Sequence, residues 1–172
     1  RRIGPDEPCA HRLIWHAYVR LAKESPWFND QPYLDVLNKR AVERFIEVTH
    51  ERYYQELGDE FGKSIPSIFT DEPQIAGKFS FVTPTQNRDA TISYTDDMND
   101  SFQEEFGVAL LDILPEILWE LPDGKVSVHR YHYHDHLAER FARAFSDTIG
   151  KWCEHHGIAF TGHFMSERTL YS

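Results

Sequence analysis

The chain has 172 residues, 41% of them hydrophobic and 27% charged, and carries a formal net charge of −10. A chain of that length buries one respectable core. The acidity argues against nucleic acid, whose binders present a basic face to the phosphates, and equally against an anionic membrane surface; it leaves a neutral or cationic small molecule, or a sugar, open as partner.

Two cysteines, Cys9 and Cys153, are too few and too far apart for a disulfide framework or a zinc knuckle. They read as one loop thiol and one buried helical thiol. The opening "RRIGPDEPCAHRL" has no apolar core of a signal peptide, and no apolar run approaches membrane-spanning length. The chain begins without Met and stops at "SERTLYS", just after an apolar run, so it reads as an internal piece of a longer protein. Its location, cytoplasmic or secreted, then depends on what precedes it.

In chain order, "HRLIWHAYVRLA" (11–22) places Leu13, Trp15, Ala17, Val19 and Leu21 at alternate positions and predicts a strand. "KESPWFNDQPYLD" follows as a long loop with exposed aromatics. Asn38 caps a helix over about 39–57, whose apolar face is Ala41, Val42, Phe45, Ile46, Val48, Thr49, Tyr53 and Leu57, and which Gly58 or Gly62 ends. Ile65 to Phe69 is a short strand, apolar on both faces as a buried parallel strand is. It stops at Thr70, Asp71, Glu72 and Pro73. Residues 74–95 show no sustained period and read as a long loop.

"YTDDMNDSFQEEFG" predicts a cap at Thr95 or Asp96 and a short helix ending near Gly107. "ALLDILPEILWEL" predicts a second short helix, broken or kinked at Pro115, and "PDGK" a turn. The longest helix spans about 127–156, with Tyr131, His134, Leu137, Phe141, Ala144, Phe145, Thr148, Ile149 and Trp152 as its buried stripe, and Gly157 stops it. "IAFTGHF" is another short strand; polar groups follow it, His163, Ser166 and Glu167.

The order strand–helix–strand–helices–strand, with crossovers long enough for parallel pairing, predicts an α/β fold with a parallel sheet. No Gly-rich phosphate loop opens any helix, which weakens a nucleotide-binding reading. In (β/α) barrels the active site lies at the carboxyl ends of the strands. Two successive strands here end in ionisable groups, Asp71 and Glu72 on one, His163 and Glu167 on the other. Neighbouring strands lie about 4.8 Å apart, so these side chains reach a shared pocket. Two carboxylates facing one pocket suit glycoside hydrolysis, one protonating the leaving oxygen and the other activating water or attacking. The same residues also suit plainer roles: a cap for Asp71–Glu72, a hydrogen-bonded core histidine for His163, a solvated charge for Glu167.

The segments "SPWFNDQPYLDVLNKRAVERFIEVTHERYYQELGDEFGKSIPSIFTDEPQ", "YTDDMNDSFQEEFG" and "YHDHLAERFARAFSDTIGKWCEHHGIAFTGHFMSE" resemble bacterial glycoside hydrolases of the α-L-rhamnosidase type, glycoside hydrolase family 106 and its uncharacterised relatives. The most specific parts are Ser67–Pro73 and the "TGH" of 161–163. The resemblance implies a (β/α)₈ barrel with a carboxylate pair and a bound calcium. It places this chain at about strands three to five, a fragment of one catalytic domain with a long insertion after the fourth strand and further domains in the same parent chain. It makes Glu72 the general acid, with Asp71 beside it, and the substrate a carbohydrate such as an α-L-rhamnoside. Relatives carry paired acids after the fifth strand where this chain reads Ser166–Glu167–Arg168, so Glu167 alone serves there, as base or sugar ligand. A whole barrel needs about 250 residues, so the fragment by itself is expected to be inactive.

Sugars stack on aromatic rings, which makes Trp27, Phe28, Tyr33 and Tyr94 candidate platforms and Trp27 and Tyr94, with Asp71 and His163, the substrate-binding set. Asp96 and Asp97 are weak candidates for calcium, and equally suit a helix N-terminus. "HRYHYHDH" groups His129, His132, His134 and His136, with 132 and 136 at metal-ligand spacing but without a neighbouring catalytic glutamate. Two alternatives follow: a sugar-binding relative without catalysis, and a metal-binding α/β protein built on the histidines.

Overall fold

A computed structural model describes residues 14–75 and 89–163. In chain order the elements are β1 (Glu24–Ser25), β2 (Gln31–Pro32), α1 (Lys39–Val48), α2 (His50–Leu57), β3 (Ser67–Asp71), α3 (Met98–Phe106), α4 (Leu114–Leu118), α5 (Val128–Phe141), a π segment (Ala142–Ser146), α6 (Asp147–His155) and β4 (Ala159–His163), with short 3₁₀ turns between some of them. The chain divides into two compact units. One comprises Arg1–Tyr33 with Phe79–Tyr133, the other Leu34–Lys78 with His134–Ser172. Among the described residues no helix is long and apolar enough to cross a membrane.

In the first unit the expected strand over 11–22 is not formed: residues 14–22 have no regular structure, and 11–13 lie outside the described residues. Tyr18, Val19 and Leu21 are exposed. Alternation sets only which side chains share a face; a strand also needs a neighbour for its backbone N–H and C=O groups. Side chains hold this segment instead, with Trp15 packed on Trp119 at 5.2 Å between ring centroids and the Tyr18 hydroxyl donating to Asp89 at 3.1 Å. The expected loop after it is a small antiparallel hairpin, β1 with β2, around a 3₁₀ turn Pro26–Phe28.

Helix α3 starts one residue later than the expected cap, with Asp97 at the N-cap, and ends as expected at Gly107. Gly107 has φ +74, left-handed backbone that suits glycine. Pro115 does not kink a helix. It sits in the first turn of α4, where its missing N–H is no loss. The carbonyls at the end of α4 are taken up by Arg130, whose Nε donates to Glu116 O at 3.0 Å and whose guanidinium also reaches Trp119 O and, at 3.3 Å, Glu120. Met98, Phe102, Leu110, Ile117 and Tyr133 are fully buried, and the Tyr133 hydroxyl donates to Ser93 O at 2.9 Å.

In the second unit Asn38 caps α1 as its position predicts, its side-chain oxygen accepting from the backbone N–H of Arg40 at 3.1 Å and Ala41 at 3.4 Å. The helix does not run unbroken to Leu57. Thr49, at φ −121 and ψ −71, separates α1 from α2. Its hydroxyl donates back to Phe45 O at 2.6 Å, the local bond by which Thr competes with the helical ladder and bends a helix. The hydroxyl has one proton, so toward His50 Nδ1, 2.8 Å away, it accepts, and Nδ1 carries the histidine proton. His50 is buried at this break, edge-on to Phe45 and Trp152, and Trp152 Nε1 donates to Glu51 at 2.6 Å.

The long helix is present from Val128 to His155, but its buried face is displaced over the first turns. Tyr131 is 65% exposed and His134 is exposed, whereas Tyr133 and His136 are buried. The expected stripe extends a 3.6-residue period back from Trp152. The π segment inserts one extra residue into that period and shifts the phase before it, although Leu137 is buried as expected. Ala144 and Phe145 within the segment and Ile149 after it are buried as expected, and Cys153 joins them.

β3 and β4 pair in parallel, in register Ser67 with Ala159 through Asp71 with His163. β3 begins two residues later than expected and includes the first carboxylate. It is not buried on both faces: Phe69 is 58% exposed. This parallel pair is the parallel sheet among the described residues; the third expected strand is the one absent above.

Two outcomes test this account. Asn38→Ala leaves two amides at the start of α1 without their acceptor and is expected to lower unfolding stability by about 0.5–2 kcal/mol in chemical denaturation; no loss would show the cap to be idle. Burial holds the His50 imidazole below its ordinary pKa, against a smaller upward pull from Glu51. The folded chain thus binds fewer protons here than the unfolded one, and this contribution to stability is lost as pH falls below about 6.5. The denaturation midpoint should fall more steeply with acid in the parent than in His50→Gln; equal slopes would remove His50 from the account.

Candidate active site

Asp71 and Glu72 stand at the carboxyl end of β3, and His163 at the same end of β4. Asp71 Oδ1 lies 3.6 Å from His163 Nδ1, an ion-pair distance when the imidazole is protonated. Both side chains are mostly exposed, at 75% and 63%. The His163 ring stands edge-on to Phe69 at 5.4 Å. Glu72 is exposed, and its backbone leaves the strand: φ is +43, a left-handed conformation uncommon for a residue with a side chain. Its N–H donates to the His163 carbonyl at 2.8 Å, the parallel-ladder bond that closes the Asp71–His163 pair.

This conformation bears on the adjacent carboxylates. In a continuing strand residues 71 and 72 would point to opposite faces. The left-handed turn at Glu72 releases it from that alternation, so two consecutive acids are not obliged to serve opposite sides of the sheet.

The other sequence candidates are placed as follows. Trp27 belongs to the first unit, at the tip of the β1–β2 hairpin, 87% exposed, its N–H held by Ser25 Oγ at 3.2 Å. Phe28 packs on Tyr33 at 4.9 Å, which tethers the hairpin. Tyr94, also in the first unit, is half-buried. Asp96 and Asp97 are exposed before α3. Glu167, with Ser166 and Arg168, lies outside the described residues, as does Cys9. Of the proposed set, then, the structure brings together Asp71, Glu72 and His163.

The four histidines of 129–136 do not converge as a set: the His129 and His132 rings stand edge-on at 6.2 Å and His132 stacks on Phe106 at 4.3 Å, but His136 is buried and His134 is exposed. Among the described residues no group of three or more His, Cys, Asp or Glu is placed to hold a metal ion. Cys153 is buried, as a helical thiol was expected to be, and burial pushes its pKa up.

Two recesses occur in the second unit. One of about 530 Å³ is apolar, walled by Phe45, Tyr53, Leu57, Phe61, Ile68 and Phe69; one of about 230 Å³ lies among Lys39, Glu43, Arg143, Thr148 and Lys151. Neither is lined by Asp71, Glu72 or His163. Comparison with family models, with curated proteins and with solved structures finds no match.

The residue missed from the sequence is Gly162. An added Cβ there would overlap the Thr70 carbonyl oxygen and lie 2.8 Å from both the carbonyl carbon and the amide nitrogen of Thr70. A glycine inside a strand is the sequence sign of such a close backbone approach.

Exposed charges in this geometry add little to folding. Asp71→Asn is therefore expected to change unfolding stability by no more than about 0.5 kcal/mol. A loss of several times that in chemical denaturation would mean that Asp71 is kept for structure rather than for chemistry.

Proposed function

We propose that this chain is the acid-bearing part of a glycoside hydrolase barrel acting on O-glycosidic bonds of a carbohydrate such as an α-L-rhamnoside. The observation that carries the reading is the parallel pair of β3 and β4, which gathers Asp71, Glu72 and His163 at the carboxyl ends of two strands. Carboxyl ends of parallel strands are where barrel enzymes do their chemistry. The motifs that resemble the rhamnosidase-type family, Ser67–Pro73 and Thr161–His163, are these same strand ends.

In this reading Glu72 donates its proton to the glycosidic oxygen as the bond to the anomeric carbon breaks. Asp71 and His163 bind sugar hydroxyls and hold the local charge. The second carboxyl is Glu167 or a group elsewhere in the barrel. Its separation from Glu72 decides the stereochemical outcome, about 5–5.5 Å for retention and about 6.5–9.5 Å for inversion. Trp27 and Tyr94 as sugar-stacking surfaces, and Asp96 and Asp97 as calcium ligands, are proposed for the first unit by itself.

Glu72→Gln keeps shape and hydrogen-bonding capacity and removes the proton. In the intact protein, assayed on aryl and alkyl glycosides, it is expected to lower kcat by about 10²–10⁴-fold with KM little changed. Near-normal turnover of an alkyl glycoside, whose leaving group needs the proton, would take Glu72 out of the acid role. Saturable sugar binding with no hydrolysis by the parent would favour a binding protein instead.

A further inference from the structure

Three facts meet at one rung of the sheet. Thr70 and Gly162 are register partners, and the Gly162 backbone, at φ +144, would drive a Cβ into the Thr70 peptide. One residue on, Asp71 pairs with His163. One further, the His163 carbonyl accepts the Glu72 N–H at 2.8 Å while Glu72 sits at φ +43.

A side chain in the left-handed region is strained, and such a conformation persists only where surrounding structure enforces it. The bond from the His163 carbonyl fixes the Asp71–Glu72 peptide plane, from which Glu72 turns into that region. Its acceptor follows the one glycine of β4, where an added Cβ would overlap Thr70. A Cβ at 162 would push β4 off Thr70 and carry the His163 carbonyl with it.

We propose that Gly162 is a positioning residue for Glu72: by lacking a side chain it seats β4 against Thr70, so that the His163 carbonyl holds the Glu72 amide and with it the peptide plane from which Glu72 leaves the strand. The catalytic consequence rests on Glu72 being the general acid; the backbone consequence does not.

The test is Gly162→Ala in the intact protein, read by residue-resolved amide hydrogen exchange and by kinetics. The Glu72 amide is expected to lose at least tenfold of its protection, while Val42 and Ile46 in α1 keep theirs. Unchanged protection at Glu72, or an equal loss at all three, overturns the proposal. Where the parent hydrolyses glycosides, kcat is expected to fall with KM unchanged, and to fall more for alkyl than for acidic aryl leaving groups. A merely structural role would lower both alike, and that result also overturns the positioning role. A parent without hydrolysis, together with the local loss of protection, overturns the acid assignment and leaves the backbone device standing. Should Gly162→Ala not fold, amide exchange in the parent serves: a Glu72 amide protected like those of β3 supports the bond to His163, and one exchanging like an unprotected amide overturns the proposal.

Discussion

Two backbones approach each other at Thr70 and Gly162 more closely than a side chain at 162 would permit. What surrounds the acids at the strand ends follows from that approach. The ladder from Ser67–Ala159 to Asp71–His163 is straight parallel pairing. The last bond of that ladder, from Glu72 N–H to His163 O, carries β4's hold to the residue after β3. Register brings the exposed side chains of Asp71 and His163 within 3.6 Å, with the His163 ring edge-on to Phe69.

The strand ends were legible because two short apolar runs each stop at polar residues, and because the helical crossovers have the length that parallel pairing demands. Asn38 and Gly107 were legible for local reasons, a side chain that accepts amides and a residue free to adopt positive φ. What could not be read depends on partners distant in sequence. The alternation of residues 11–22 is a strand pattern, yet residues 14–22 find no strand to pair with, and Trp15 goes to Trp119 instead. The burial of Phe69 was inferred from its neighbours being apolar, a rule that holds only when both faces of a strand are covered. Glu72 precedes Pro73, which restricts its backbone without announcing the left-handed φ of +43 that it adopts.

The helix over Val128–His155 shows how one small irregularity misdirects an otherwise correct pattern. Type and extent were readable from the period. The face was not, because a single π turn between Phe141 and Asp147 puts the two halves of the period out of phase. Tyr133 and His136 thereby become the buried residues, and the Tyr133 hydroxyl obtains the Ser93 carbonyl it needs to be buried. A run of four histidines within eight residues invites a metal reading. The helix sends His132, beside His129, to a ring stack and His136 to the interior, so the four share no single direction.

Within the second unit, burial and charge are separated. Among the titratable groups held tightly are His50, enclosed by Phe45, Trp152 and the Thr49 hydroxyl at the break between α1 and α2, and Cys153, buried in α6. The acids at the strand ends are exposed. Their side chains are therefore nearly free of the folding balance, while the backbone beneath them is not. On the proposed reading, replacing a carboxylate there would alter chemistry with little effect on stability, whereas replacing Gly162, which carries no reactive group, would disturb the frame beneath it. Such a site would keep its side chains changeable and hold its precision in main-chain hydrogen bonds and in the position where an added Cβ overlaps Thr70.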